Sequence, residues 1–178
     1  MQTNNASSPL YEVRVERQVP IPMADGTILR ADIYRPSAPG QYPALVERVA
    51  YKVEERCRYS GEYYASRGYV VVGQNVRGRY ASDGAFVPFR DDAWNNHRDG
   101  YDTILWVGKQ SWSNGVVGML DGSYSGGTQY LLAPTQPAPL KALFVREGIA
   151  DVYRDFAFRG GAYELTGLKI IDRSKNIC

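Results

Sequence analysis

One stretch of the chain has the residue types and spacing of a nucleophilic site. It runs from Val116 to Gly127 and contains an apolar segment, a turn with two serines, Ser123 and Ser125, and a following segment of helical character. A serine between a buried strand and a helix is what a nucleophile elbow requires, because the N–H groups at the helix start face the developing oxyanion. The G-x-S-x-G pattern is imperfect around both serines, since Asp121 precedes Ser123 by two positions and Ser123 precedes Ser125 by two. On steric grounds either serine could be the nucleophile.

Two other interpretations fit part of the same stretch. A glycine-rich turn between a strand and a helix can tolerate serine without any catalytic role. A phosphate-binding loop is the second alternative, but Gly122 is followed by Ser123 and not by the lysine of the Walker pattern. The elbow is therefore a hypothesis that needs the correct structural context.

Hydrophobic periodicity predicts the elements that would position this turn. Residues 11–17 and 27–34 alternate between large and polar side chains, and the Asp25-Gly26 turn between them predicts an antiparallel hairpin. Further strands are predicted at 44–51, 69–76, 116–120 and 140–145. Helices are predicted at 54–67 with a cap at Gly68, at 99–110, and from 128 to 133. This alternation predicts an α/β fold with a mostly parallel sheet.

The composition is that of an ordinary globular domain and excludes several classes of function. The 178 residues are 44% hydrophobic and 22% charged, with a formal net charge of +2. The chain therefore has the size of one domain and lacks the concentrated basic surface of a nucleic-acid binder. Apolar runs such as 69–72 are far too short to span a bilayer. Cys57 and Cys178 form no disulfide framework or zinc motif, and no metal or organic cofactor is implied.

Several short motifs occur along the chain in a characteristic order. They are PMADGT at 22–27, ADIYRP at 31–36, QNVRGR at 74–79, DGAFVP at 83–88, DGYDTI at 99–104, WSNG at 112–115 and GSYSG at 122–126. Each motif is weak alone, but together they resemble the N-terminal part of the cocaine-esterase-like (CocE/NonD) hydrolases, relatives of the X-Pro dipeptidyl-peptidases. The resemblance extends from about Val19 to about Gly161.

The resemblance implies an α/β-hydrolase core and a serine hydrolase that cleaves an ester or amide bond. In that family a tyrosine directly follows the nucleophilic serine, which favours Ser123 over Ser125. The resemblance further implies that the hydroxyl of Tyr51, after the third strand, and the backbone N–H of Tyr124 donate to the oxyanion. A phenol is protonated near neutral pH and can therefore serve as such a donor.

Three positions depart from the family pattern. Asp121 replaces the glycine expected two residues before the serine, which threatens the tight turn and brings a charge near the nucleophile. Ala50 replaces the proline before Tyr51, and Asn75 stands where the family usually has aspartate. These departures leave a weakened or inactive enzyme open.

The triad acid and base implied by the resemblance are missing from this chain. The order in α/β-hydrolases is Ser, then Asp or Glu, then His, and no histidine follows the candidate serines. The single histidine, His97, lies upstream and is expected to be a solvated surface residue. Asp151 and Asp155 come too early for the usual acid, so we expect them to cap or pair locally with Arg154 or Arg159.

These observations predict three segments: a disordered lead-in at 1–10, the N-terminal part of a hydrolase domain at 11–160, and an atypical tail at 161–178 that begins a cap region or reflects truncation. The alternative is a catalytically incompetent fragment or pseudo-hydrolase whose exposed sheet edge binds another chain.

The expected partners follow from the same interpretation. They are a small-molecule ester, amide or peptide substrate and a second copy of the chain at the exposed sheet edge, with no nucleic acid and no membrane. Because no signal peptide is visible at the N-terminus, a cytoplasmic location is expected. Esterase and peptidase or amidase activities both fit the sequence.

Overall fold

The computed structural model of the chain describes residues 7–94 and 96–164. The strands of the main sheet are β1 (Val13–Pro22), β2 (Ile28–Pro36), β3 (Tyr42–Val49), β4 (Val70–Asn75), β5 (Ser113–Asp121) and β6 (Leu140–Val145). The helices are α1 (Val53–Arg56), α2 (Arg58–Ala65), α3 (Asp99–Gly108) and α4 (Tyr124–Leu132). Within the described residues, the sheet has the order β1-β2-β4-β3-β5-β6.

The sheet is antiparallel at the N-terminal edge and parallel elsewhere. β1 pairs with β2 and β2 with β4 in antiparallel fashion. β3 pairs in parallel with both β4 and β5, and β5 pairs in parallel with β6. The predicted hairpin and the predicted α/β fold are therefore confirmed.

Side chains of β4 alternate between two covered faces of the sheet. Val70 and Val72 belong to the core that contains Ile104 and Val107 of α3. Val71, between them, packs in a separate cluster with Ala65 of α2. A strand buried on both faces needs a continuous apolar run, which explains the β-branched sequence of β4.

β1 is longer than predicted because it passes through a bulge. The alternation of side chains stops near residue 17, but pairing with β2 resumes at Val19. Gln18 has a φ of 54° at the bulge. Its N–H donates to Asp32 Oδ1 at 3.0 Å, and the Arg17 guanidinium pairs with the same carboxylate at 2.6 Å. A carboxylate on the neighbouring strand thus satisfies the groups that the bulge leaves unpaired.

The predicted helix at 54–67 is wrong in one respect, since it is divided into α1 and α2 at Cys57. Cys57 has φ −99° and ψ 0°. It packs against β4 so closely that a Cβ on Gly73 would lie 2.8 Å from the Cys57 Cβ. The chain then leaves α2 through Gly68, at φ 88°, a conformation that favours glycine.

The predicted start of α4 is also wrong, because the helix begins at Tyr124 and not at Thr128. The segment Ser125–Gly127 has low helix propensity, which hides this turn from periodicity. A short 3₁₀ turn that contains Pro134 follows the helix at Ala133–Thr135.

Two residues of the predicted lead-in contact the end of α2. Leu10 N–H donates to the Ser66 carbonyl at 2.7 Å, and Arg67 Nε donates to the Ser7 carbonyl at 2.8 Å. A small hairpin, β7 (Phe158–Arg159) with β8 (Ala162–Tyr163), precedes Glu164. The rest of the predicted tail, 165–178, and residues 1–6 of the lead-in lie outside the described residues. In the part of the chain that the structure describes, no helix is long and apolar enough to cross a bilayer.

Candidate active site

Ser123 lies in the turn between β5 and α4. It is exposed and precedes the first residue of α4. Its φ of 58° and ψ of −123° are rare for a residue with a side chain. The Ser123 N–H donates to the Glu147 carbonyl at 2.6 Å, and its own carbonyl accepts from Gly127 N–H at 3.1 Å. These bonds hold a strained backbone that leaves a serine exposed at the end of β5, as an elbow requires.

Ser125 has a different environment. It is 2% exposed, and its Oγ donates to the Arg48 carbonyl at 3.1 Å. This hydroxyl therefore links the start of α4 to the end of β3. Of the two serines that the sequence leaves open, only Ser123 has an exposed side chain.

The elbow packs directly against the loop after β6. A Cβ on Gly126 would lie 2.0 Å from the Glu147 carbonyl oxygen, and a Cβ on Gly122 would lie 3.2 Å from the Glu147 nitrogen. The first contact cannot be relieved by moving a side chain, because Glu147 contributes backbone atoms. Glycine at 126 is thus required by the fold of the turn.

Tyr124 and Tyr51, the predicted oxyanion donors, are neighbours. As the first residue of α4, Tyr124 has an N–H without an intrahelical acceptor. Its ring is buried and stacks on Phe89 with centroids 4.4 Å apart, and this burial raises the pKa of the Tyr124 hydroxyl. The half-buried ring of Tyr51 meets the Tyr124 ring edge-on, with centroids 6.4 Å apart. The structure thus brings Tyr51 to the residue that follows Ser123.

Asp121 adopts the conformation that the expected glycine would have. Its φ is 94°, in the region that favours glycine. The carboxylate is 7% exposed and ion-paired on both oxygens, with Arg146 at 2.8 Å and with Arg56. The charge that the sequence places near the nucleophile is therefore neutralised by two arginines. Local sequence patterns gave no signal for either arginine.

Glu47 is a second buried acidic residue beside Asp121 and its two arginines. Asp121, both of these arginines and Glu47 of β3 line a cavity of about 350 Å³, together with side chains of α2. Glu47 is 1% exposed, and its Oε1 has no hydrogen-bond partner in the described part of the chain. Burial raises the pKa of Glu47 to about 6.

His97 and the acidic residues after β6 are held in local interactions. His97 Nδ1 lies 2.9 Å from Asp25 Oδ2, and its side chain is 33% exposed, so it is less solvated than predicted. Arg77 also pairs with Asp25 at 2.9 Å and holds the pKa of that carboxyl well below its usual range. The local role predicted for Asp151 is confirmed, since its carboxylate accepts from the N–H groups of Tyr153 and Arg154.

No metal site is formed by the described residues 7–94 and 96–164, where no group of three or more His, Cys, Asp or Glu side chains converges.

The combination of a mixed sheet, flanking helices and a strained serine after a parallel strand defines the class of α/β hydrolases. Solved structures agree with this class. The chain superposes on a CocE/NonD family hydrolase from Staphylococcus aureus with a TM-score of 0.82, at 27% identity, over 92% of this chain and 33% of that one. An aminopeptidase from a marine sediment Thaumarchaeota archaeon gives a TM-score of 0.64, at 26% identity, over 80% of this chain and 27% of that one.

Within this class, the family model of X-Pro dipeptidyl-peptidase (S15 family) matches residues 25–174, and the chain belongs to that family. It is also 39% identical over 145 residues to a cocaine esterase of Rhodococcus sp. strain MB1 Bresler, an alignment that covers 79% of this chain and 25% of the relative. The chain therefore spans about a quarter of the length of this relative.

Proposed function

We propose that the protein is a serine hydrolase that cleaves an ester or amide bond, with Ser123 as the nucleophile. The observation that carries the proposal is the contrast between the two serines: Ser123 is exposed in a strained turn, whereas the Ser125 hydroxyl is buried on the Arg48 carbonyl. A strained conformation persists only where the surrounding structure enforces it, and such strain concentrates at functional sites.

The proposed oxyanion site has two donors. The backbone N–H of Tyr124 and the hydroxyl of Tyr51 donate to the oxygen that becomes negative when Ser123 attacks the acyl carbonyl. The proposal is supported by the packing of the two tyrosine rings, with centroids 6.4 Å apart. α4 adds the partial positive charge of its N-terminus. Removal of one such donor typically lowers kcat by about 10²–10³-fold.

The base of this reaction has to come from a histidine outside this chain. His97 is the single histidine in the sequence, and its Nδ1 lies 2.9 Å from Asp25 Oδ2 at the turn between β1 and β2. An unassisted serine hydroxyl is a weak nucleophile near neutral pH. The substrate class is an ester, amide or peptide, since the relatives are named as a cocaine esterase and an aminopeptidase.

Covalent labelling tests the nucleophile. A fluorophosphonate probe is applied to the full-length gene product that carries this chain, and the labelled peptide is identified by mass spectrometry. We expect the probe on Ser123, no labelling of Ser123→Ala, and reduced but measurable labelling of Ser125→Ala. Labelling that persists in Ser123→Ala would move the proposed role to Ser125.

A catalytically incompetent binding module is the second candidate function. The absence of any histidine after Ser123 in the sequence favours it for this chain by itself. We expect the 178-residue chain to be inactive towards p-nitrophenyl esters. A downstream histidine in the full-length gene product, with ester turnover, supports the hydrolase. Turnover by the chain alone within tenfold of the full-length product would show that it contains its own base.

A further inference from the structure

The backbone that carries Tyr51 is bound by side chains of the segment after β4. β3 and β4 end side by side, with Val49 opposite Asn75. Beyond this point the carbonyls of Val49, Ala50 and Tyr51 all face donors from the neighbouring segment. Val76 N–H reaches the Val49 carbonyl at 3.0 Å, as a continuation of the parallel ladder. The other donors are side chains.

Asn75 is the first of these side-chain donors. Its Nδ2 donates to the Tyr51 carbonyl at 2.6 Å and lies 3.4 Å from the Val49 carbonyl. Asn75 is 1% exposed, and its backbone carbonyl accepts from Ser82 Oγ at 2.9 Å. Two carbonyl oxygens face one end of the amide, so that end must be the NH₂ group. An aspartate here would have the same shape but no donor.

Arg79 is the second donor. Its Nε donates to the Ala50 carbonyl at 2.9 Å. Arg79 is 7% exposed, and its guanidinium carbon lies 5.1 Å from the ring centroids of both Tyr80 and Phe86. A planar cation packed against two rings has little freedom, so it fixes the carbonyl that it binds.

We propose that Asn75 and Arg79 are positioning residues that hold the Ala50–Tyr51 backbone and so aim the Tyr51 hydroxyl at the oxyanion. This inference rests on the proposed role of Tyr51. Alanine at position 50 leaves φ free, whereas a proline there would lock it, and the amide of Asn75 supplies a donor that a carboxylate could not.

Kinetics of the full-length gene product with p-nitrophenyl acetate provide the first test. Because oxyanion bonds strengthen in the transition state, we expect Asn75→Asp to lower kcat about 10-fold and to leave KM within about twofold. We expect Tyr51→Phe to lower kcat about 100-fold. Adding Asn75→Asp to Tyr51→Phe should then change kcat by less than about twofold, since no hydroxyl is left to aim. Equal losses in both backgrounds would overturn the proposal.

Two further comparisons separate a positioning role from a nonspecific effect of the substitution on the fold or the charge. Arg79→Lys retains a donor and should keep most of the parent kcat. Arg79→Ala should lower kcat about 10-fold. If Asn75→Asp does not fold, the comparison of Arg79→Lys with Arg79→Ala still tests the proposal. The charge control is Asn114→Asp, an exposed site at the opposite end of β5, which should keep the parent kcat.

A spectroscopic measurement distinguishes failure of this inference from failure of the proposed function. With 3-fluorotyrosine at position 51, the ¹⁹F resonance should be single in the parent and broadened or split in Asn75→Asp and Arg79→Ala. An unchanged resonance in both variants would overturn the positioning role. A broadened resonance together with full activity of Tyr51→Phe would support the positioning role and reject Tyr51 as an oxyanion donor.

Discussion

Asp121 and Ser123 both have positive φ angles, 94° and 58°. Outside glycine, such conformations cost about 1–3 kcal/mol each and need compensation from their surroundings. For Ser123 the compensation is the short bond from its N–H to the Glu147 carbonyl. For Asp121 it is the pair of arginines on its carboxylate. Asp121 is thus stabilised by ion pairs in a backbone conformation that glycine would adopt without strain.

Glu47 gives a pH-dependent prediction. Burial raises its pKa to about 6 from an ordinary value of 4.5. Between these two pH values the folded chain holds a proton that the unfolded chain has released. The free energy of unfolding therefore falls as pH rises through this window, by about 2 kcal/mol in total, and this contribution is constant above it.

We expect Glu47→Gln to remove this decrease and to be more stable than the parent at pH 8. Urea unfolding at pH 4.5, 6 and 8 measures the difference. The control is Glu62→Gln, an exposed position on α2, which should keep the pH dependence of the parent. If both variants follow the parent curve, Glu47 is not the titrating group.

The close contact between Gly126 of α4 and Glu147 in the loop after β6 predicts how a substitution at Gly126 changes stability. Gly→Ala inside a helix normally stabilises by about 0.5–1 kcal/mol. At Gly126 the new Cβ would lie 2.0 Å from the Glu147 carbonyl oxygen. We therefore expect Gly126→Ala to lower the free energy of unfolding by about 3 kcal/mol, at the upper end of overpacking costs. Thermal or urea denaturation measures this loss.

Gly127→Ala is the matched control on the same helix. Its Cβ would lie 2.8 Å from Phe89 Cε1, a side-chain atom that can move. The loss should accordingly be smaller than for Gly126→Ala. Equal losses would mean that the backbone contact with Glu147 has no special role.

How far each element could be predicted depends on the range of the interactions that determine it. The hairpin follows from the Asp25-Gly26 turn, and β6 matches its predicted bounds of 140–145, because local pattern determines both. The division at Cys57 depends on its contact with Gly73 of β4. Periodicity within one helix carries no information about such a contact.

The same distinction applies to the candidate site. Ser123 and Tyr51 could be proposed from motif order and the family resemblance. The pairing of Asp121 with Arg56 and Arg146 could not, because it joins three elements that only the sheet order brings together. The bonds from Asn75 and Arg79 to the Ala50–Tyr51 carbonyls likewise arise where two parallel strands end.

At the scale of the whole molecule, the described part of the sheet ends at β6. In the described residues, β6 pairs with β5 on one side and with no strand on the other. Phe144, near the end of β6, is 65% exposed. Unpaired backbone groups beside exposed apolar side chains promote pairing with another chain. We therefore expect the 178-residue chain to self-associate, with light scattering that rises with concentration.

Phe144→Lys should reduce this association, because a charge on an edge strand opposes pairing. Leu10→Lys is the control, since Leu10 is 78% exposed but lies outside the sheet. Light scattering and sedimentation of both variants measure the effect. Equal reductions in both variants would indicate that an added charge raises solubility wherever it is placed. No reduction by Phe144→Lys would exclude β6 as the contact edge.

The hydrogen bond between the Ser123 N–H and the Glu147 carbonyl also determines when the turn can fold during synthesis. β5 adds to β3, and β6 then adds to β5, so the sheet can grow outward as the polypeptide leaves the ribosome. The acceptor for the Ser123 N–H, however, is a carbonyl that is synthesised after β6. The nascent chain can complete the strand before the turn, but the strained backbone conformation of Ser123 has to wait for residue 147 to emerge.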